Sequence, residues 1–229
     1  MTESQLRDEI CRVGASLFAR GYVHATAGNI SVRLNEDQGG GFLITPTDAC
    51  LGYLEPSQLA LLTSDGQQVA GDRASKTIAL HRRIYETTAA TGNAATCVIH
   101  THSTHLVALT LRRERDRSEV VELIPPITPY FVMKVGHVPW IRYHRPGAES
   151  AANDVASAIT QYAQRGLNLR AVMLDRLGPN VWHNSLAQAM ATLEELEETA
   201  KLMCLSPCPP SELSAASLQE LQDTFGASW

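Results

Sequence analysis

Apolar residues along this chain recur with two periods, and the changes of period mark out its elements. Leu6, Ile10, Val13 and Leu17 fall at helical spacing. Thr2 or Ser4 can cap such a helix and Gly21 can end it, which predicts a helix over residues 2–20. NISVRL and FLIT read as strands, and NEDQGGG between them as the turn of a hairpin. PSQLALL reads as a short helix and SDGQ as a turn. SKTIALHRRIYETTAA is helical, with Ile78, His81, Ile84 and Tyr85 on one side. The β-branched Val98 and Ile99 open a buried strand. A helix through Leu106, Val107 and Leu109 follows it, capped by Ser103 or Thr104.

The second half continues in the same way. VPWIRYHRPG reads as a strand with a turn at its end, and AESAANDVASAITQYAQRG as an amphipathic helix stopped by Gly166. AVMLD is a strand, GPN a turn and VWH the strand back. SLAQAMATLEELEETAKLMCLS is a long helix that ends at PCPP. Its Glu194, Glu195, Glu197 and Glu198 are expected on a solvated face. The closing SELSAASLQELQDTFG is a capped helix that can bury Leu213, Leu218 and Leu221. No repeat or linker divides the chain. The expectation is a single α/β domain over residues 1–229, with a mixed, mainly antiparallel sheet and helices on its faces.

Composition narrows the function. Of 229 residues, 44% are apolar, enough for a substantial core. The net charge of −5 and the lack of a Lys/Arg run argue against nucleic acid, and Trp140, Trp182 and Trp229 show no stacking pattern. No apolar run approaches the ~20 residues of a membrane span. The first residues lack a signal-peptide core, and five cysteines without framework spacing suit reduced thiols in the cytoplasm. A small-molecule substrate is the expected partner.

Candidate chemistry sits in VIHTHSTH, residues 98–105. Side chains two apart on a strand share a face, so His100 and His102 can chelate one ion. His105 should point along the following helix, away from that ion. A catalytic zinc usually takes three protein ligands and keeps one position open, so a third donor must come from elsewhere.

Six segments in order carry a resemblance. HATAGNISVRL, FLITPTDACLGYLEPSQLALL, GDRASKTIALH, VIHTHST, TPYFVMKVGHVPWIRYHRPG and SLAQAMATLEELEETAKLM resemble the class II aldolase/adducin family over roughly residues 5–205. Within it they are most like the 3-oxo-tetronate 4-phosphate decarboxylase subgroup. The resemblance implies a three-layer α/β/α class II aldolase-like fold around the mixed sheet. It implies a homo-oligomer, most often a tetramer with sites between subunits. It also implies a divalent metal, zinc first, with manganese or iron as alternatives. His100 and His102 match metal ligands of the family. Asn29, Thr47, Ser75 and Lys76 match substrate-binding positions, and Tyr130 matches a tyrosine that can donate a proton.

Three positions depart from the family pattern. Thr77 stands where a glutamate serves as general acid/base, and a hydroxyl cannot exchange protons near neutrality as a carboxylate can. Leu177 stands where a third histidine binds metal, and Asp48 replaces a glycine that lets backbone approach phosphate. Asp175 lies two residues before Leu177 and could supply the missing donor if the strand stays extended. Three functions follow. One is a metal-dependent carbon–carbon lyase, of aldolase or decarboxylase type, acting on a small sugar-acid-like or hydroxy-carbonyl substrate with weakened or altered chemistry at Thr77. Another is a non-catalytic, adducin-like protein. A third is a non-haem iron oxygenase using His100, His102 and Asp175, the two-histidine, one-carboxylate pattern.

Overall fold

A computed structural model describes residues 1–112 and 121–229. The first helix, α1 (Glu3–Ala19), starts at a Thr2–Gln5 capping box and buries Ile10, Val13 and Leu17 as its spacing predicts. The hairpin follows as β1 (Asn29–Arg33) and β2 (Phe42–Ile44). The segment PSQLALL is not a helix. Pro56–Gln58 makes one 3-10 turn, and Ala60–Leu62 forms β3, paired antiparallel with β2. Ala60 and Leu62 point to one face and are buried there, so strand alternation, not helical spacing, governs this segment. An exposed strand, β4 (Gln68–Ala70), closes that edge of the sheet.

The helix α2 (Ile78–Ala90) leads into the central β5 (Cys97–His100), and α3 (Thr104–Arg112) follows. Then come β6 (Val121–Glu122), α4 (Pro129–Lys134), β7 (Pro139–Ile141) and α5 (Glu149–Gln164). The strands β8 (Ala171–Leu174) and β9 (Gly178–His183) precede α6 (Leu186–Leu205) and α7 (Ala215–Phe225). GPN is not the turn between β8 and β9. The chain turns at Asp175–Leu177, and Gly178 already belongs to β9. A side chain at Gly178 would collide with the carbonyl of Thr101, so this glycine serves a close approach of two backbones.

Among the described residues, nine strands form one sheet in the order β4-β3-β2-β1-β5-β9-β8-β7-β6. All neighbours are antiparallel except β7 and β8. Each sheet face has its own apolar core. Ile30, Ile99 and Val181 pack with α1, α3, α4 and α6 on one side. Val98, Val172 and Trp182 pack with Ile84 and Tyr85 of α2 and Val155 and Ile159 of α5 on the other. The three-layer α/β/α architecture follows from that division. No helix of the described residues is long and apolar enough to cross a membrane.

Candidate active site

The three central strands set one row of polar side chains across the sheet. Asn29 of β1 pairs with His100 of β5, and His100 pairs with Asn180 of β9. Directly opposed residues share a face, so all three emerge on the side covered by α2 and α5. They line a cavity of about 710 Å³. The row is buried, with Asn29 5%, His100 4% and Asn180 0% exposed.

His100 is oriented from behind. Its Nδ1 lies 2.8 Å from the carbonyl oxygen of Pro179, and a carbonyl can only accept, so Nδ1 carries the proton. Nε2 is then the lone-pair nitrogen, the arrangement typical of ligating histidines. Burial, with the nearby His102, pushes the His100 imidazole down to about 3, so it is neutral at physiological pH. Burial also lowers His102, and His24 adds to the effect. The ring centres of His100 and His102 are 5.0 Å apart. Two imidazoles sharing a tetrahedral ion at about 2.1 Å stand roughly 5 Å apart, centre to centre. The alternation read from the sequence therefore brings the pair together, although β5 ends at His100.

The wall at the start of α2 is a zipped pair of loops. Pro46 bridges Ala74, Thr47 N donates to Arg73 O at 2.8 Å, and Ser75 N to Thr45 O at 3.3 Å. Asn29, Thr47, Ser75, Lys76 and Thr77 all line the cavity, as does Leu177. The Ser75 and Thr77 hydroxyls are 2.8 Å apart. Asp48 also lines it and holds φ 58, the left-handed conformation that glycine adopts without cost. The loop thus keeps a glycine-like backbone while carrying a carboxylate. The opposite wall is the segment before α5 together with the first turns of that helix. Asp154 accepts from Arg142 Nε at 2.7 Å and lies 2.9 Å from His144 Nε2, and Arg83 donates to Asn153 at 2.8 Å. Arg145 lines the cavity beside them.

Two candidate residues are elsewhere. Asp175 does not join the histidines. The chain leaves extended geometry after Leu174, so the two-residue rule fails at the turn. Its carboxylate accepts from Trp140 Nε1 at 3.2 Å and faces Arg176 Nε at 3.9 Å. The two-histidine, one-carboxylate oxygenase site is therefore not formed. Among the described residues, no third His, Cys, Asp or Glu completes a metal cluster. Tyr130 lies on α4, is 61% exposed and does not line this chain's cavity. His105 turns away, as expected, and its Nδ1 meets Glu197 at 2.8 Å. Sequence reading passed over Asn180, because GPN looked like a turn. Alternation with Trp182 on the same face was the signal that could have found it.

A cleft at one end of a mainly antiparallel sheet, floored by His100 at the end of β5 and His102 just beyond it, defines a class II aldolase-like protein. The sequence agrees: residues 8–204 match the model of the Class II Aldolase and Adducin N-terminal domain. The chain belongs to that family. It is 51% identical to a 3-oxo-tetronate 4-phosphate decarboxylase of Cupriavidus necator, over 100% of this chain and 99% of the relative. An L-fuculose phosphate aldolase of Methanocaldococcus jannaschii is 30% identical over 86% of this chain and 93% of the relative. The crystal structure of YgbL from Escherichia coli superposes with a TM-score of 0.80 at 36% identity, covering 96% of this chain and 99% of that one.

Proposed function

We propose that this chain is a carbon–carbon lyase of the decarboxylase type, acting on a small phosphorylated 3-oxo sugar acid. One observation carries the reading. In a chain 51% identical to a 3-oxo-tetronate 4-phosphate decarboxylase, Asn29, Thr47, Ser75 and Lys76 share one cleft with the histidine pair.

The chemistry of such a substrate explains why Thr77 is tolerated. A 3-oxo acid loses carbon dioxide when its C1–C2 bond breaks and the electron pair passes to the C3 carbonyl oxygen. A proton then adds at C2. The site must stabilise charge at the C3 oxygen and hold the two anionic ends. No hydroxyl has to lose a proton for the bond to break. Retro-aldol cleavage does need that deprotonation, and Thr77 is poorly suited to perform it. The cleft chemistry thus favours decarboxylation over aldol cleavage.

The donor chemistry of the floor fits a divalent cation. His100 and His102 are neutral, adjacent imidazoles, and the Oδ1 atoms of Asn29 and Asn180 are buried without a hydrogen-bond partner in the chain. A cation held by His100 and His102, zinc first and manganese or iron next, supplies Lewis-acid stabilisation of developing oxyanion charge. The Lys76 ammonium and the Ser75 and Thr47 hydroxyls bind the phosphate end, with Asn29 at the boundary between phosphate and floor. Asp48 opposes an anion at the rim of the same wall. Exposed Tyr130 serves as proton donor to the cleft of a neighbouring copy in a homotetramer.

A second reading, a binding protein without catalysis, draws on Thr77 and Leu177 standing together in the cleft. One experiment separates the two. Purified protein is given 3-oxo-tetronate 4-phosphate with Zn²⁺ or Mn²⁺, and carbon dioxide release is followed. Turnover supports the decarboxylase. Saturable binding without release supports the second reading.

A further inference from the structure

We infer that Asn180 is the third protein donor to the cation held by His100 and His102, giving it a carboxamide oxygen. The inference rests on the metal reading above.

Asn180 is 0% exposed, yet it lines the cleft. Neither Oδ1 nor Nδ2 has a hydrogen-bond partner in the chain. An unsatisfied buried polar group is destabilising, and a carboxamide carries two such groups. Val172 and Val181 are the residues natural to this part of the sheet, and both are fully buried. An asparagine among them is explained by something polar that it meets.

The register says what that is. Asn180 is directly opposite His100, on the strand that also presents the Pro179 carbonyl to His100 Nδ1. The backbone that fixes the His100 tautomer therefore also places the carboxamide beside the same imidazole. Asn180 lies as deep as His100, whereas His102 stands nearer the opening. A group at that depth meets what His100 Nε2 meets before it meets a substrate entering from the rim. A carboxamide oxygen is a donor that divalent cations accept. No third His, Cys, Asp or Glu among the described residues competes for the role. Two alternative donors remain: Asn29 Oδ1, buried without a partner opposite His100 on β1, which the reading above assigns to the phosphate boundary, and exposed His24, its ring 6.4 Å from His102.

The donor set has a consequence for the metal. Imidazole nitrogen suits zinc, whereas carbonyl oxygen suits manganese and magnesium. Two nitrogens and one amide oxygen narrow the preference for Zn²⁺ over Mn²⁺ relative to a three-imidazole site.

The test is metal binding to the full chain, by calorimetry with Zn²⁺ and Mn²⁺ and by electron paramagnetic resonance of Mn²⁺. Asn180→Val, which suits a buried strand, should weaken Mn²⁺ binding by at least about 10- to 100-fold, the loss that removal of an outer-shell partner already brings. Asn180→Asp, which keeps the shape and adds charge, should tighten it. Thermal melting and circular dichroism of each variant establish that it is folded. His100→Ala is the control. If His100→Ala abolishes binding while Asn180→Val and Asn180→Asp leave it unchanged, the inference is overturned and the histidine site stands. If His24→Ala, and not Asn180→Val, removes the metal, the third donor is His24. If the unaltered chain takes up neither ion, both the inference and the metal reading fall.

Discussion

The carboxylate of Glu197, on α6, lies 2.8 Å from Nδ1 of His105, on α3. The same carboxylate accepts from the backbone N–H of His105 at 3.0 Å and of Leu106 at 3.3 Å. It caps α3 from a different helix, and it is 4% exposed. The acidic run of α6 is thus not a solvated face throughout. α3 begins two residues after His102, so this contact also anchors the exit from the histidine segment.

Glu197→Ala leaves two backbone donors without their acceptor. We expect a loss of about 2 kcal/mol or more, read as a lower midpoint in urea denaturation. Glu197→Gln keeps one acceptor oxygen and should lose less. Equal midpoints for all three proteins would show that the cap carries no weight.

His81 makes stability depend on acid. It is fully buried, with Nδ1 2.7 Å from Ser31 Oγ, which also meets the Tyr85 hydroxyl at 2.6 Å. Burial, with His100 nearby, lowers its pKa from 6.5 to about 3. The unfolded chain therefore binds the proton more tightly. His81's contribution is fully present above pH 6.5 and is lost as the pH falls from 6.5 towards 3. In that window it should remove up to about 1.4 kcal/mol per pH unit. Denaturation between pH 7 and pH 4 measures the slope, and His81→Gln should flatten it. An unchanged slope would place the acid sensitivity elsewhere.

The fold was legible wherever one period ran long enough. The spacing of Leu6, Ile10, Val13 and Leu17 gave α1 to within a residue at each end. Short segments were not legible. The three residues Ala60, Leu61 and Leu62 form a strand only because β2 offers an edge, and no local pattern states that. Within the site, alternation and the family motif together point to His100 and His102, which meet in the cleft although β5 ends at His100 and His102 lies beyond the strand. Asp175 does not reach the histidines because alternation from Asp175 to Leu177 runs three residues past the end of β8, through a turn where Arg176 has φ 58. Asn180 is not legible because Gly178 reads as a turn glycine, whereas its role is a tertiary contact with Thr101.

Tyr130 yields a prediction about assembly. On the proposed function it acts on the cleft of another copy, since it is 61% exposed and outside its own chain's cavity. Light scattering should show a species well above 24.9 kDa, four times that mass for a tetramer. Tyr130→Phe and His100→Ala should each lower turnover. Mixed oligomers of the two should recover part of it, since some clefts then combine an intact histidine with an intact tyrosine. A monomer at micromolar concentration, or no recovery on mixing, would remove Tyr130 from the reaction.

The last prediction concerns Thr77 and Leu177, which both line the cleft. Decarboxylation of a 3-oxo acid needs no base at position 77, whereas aldol cleavage does. Thr77→Glu supplies a carboxylate at the N-cap of α2, and Leu177→His supplies an imidazole at the turn before β9. The double variant should bind Zn²⁺ more tightly than the unaltered chain, because an alkyl group gives way to a strong donor. It should also gain retro-aldol activity towards a phosphorylated hydroxyketone, by up to the ~10²–10⁴-fold that a positioned acid/base group contributes. Carbon dioxide release, measured on the same preparations, should change far less. The contrary outcome is a native protein with stoichiometric metal and fast retro-aldol turnover that the double change impairs. In that case Thr77 is no obstacle to proton removal, and another group in the cleft performs it.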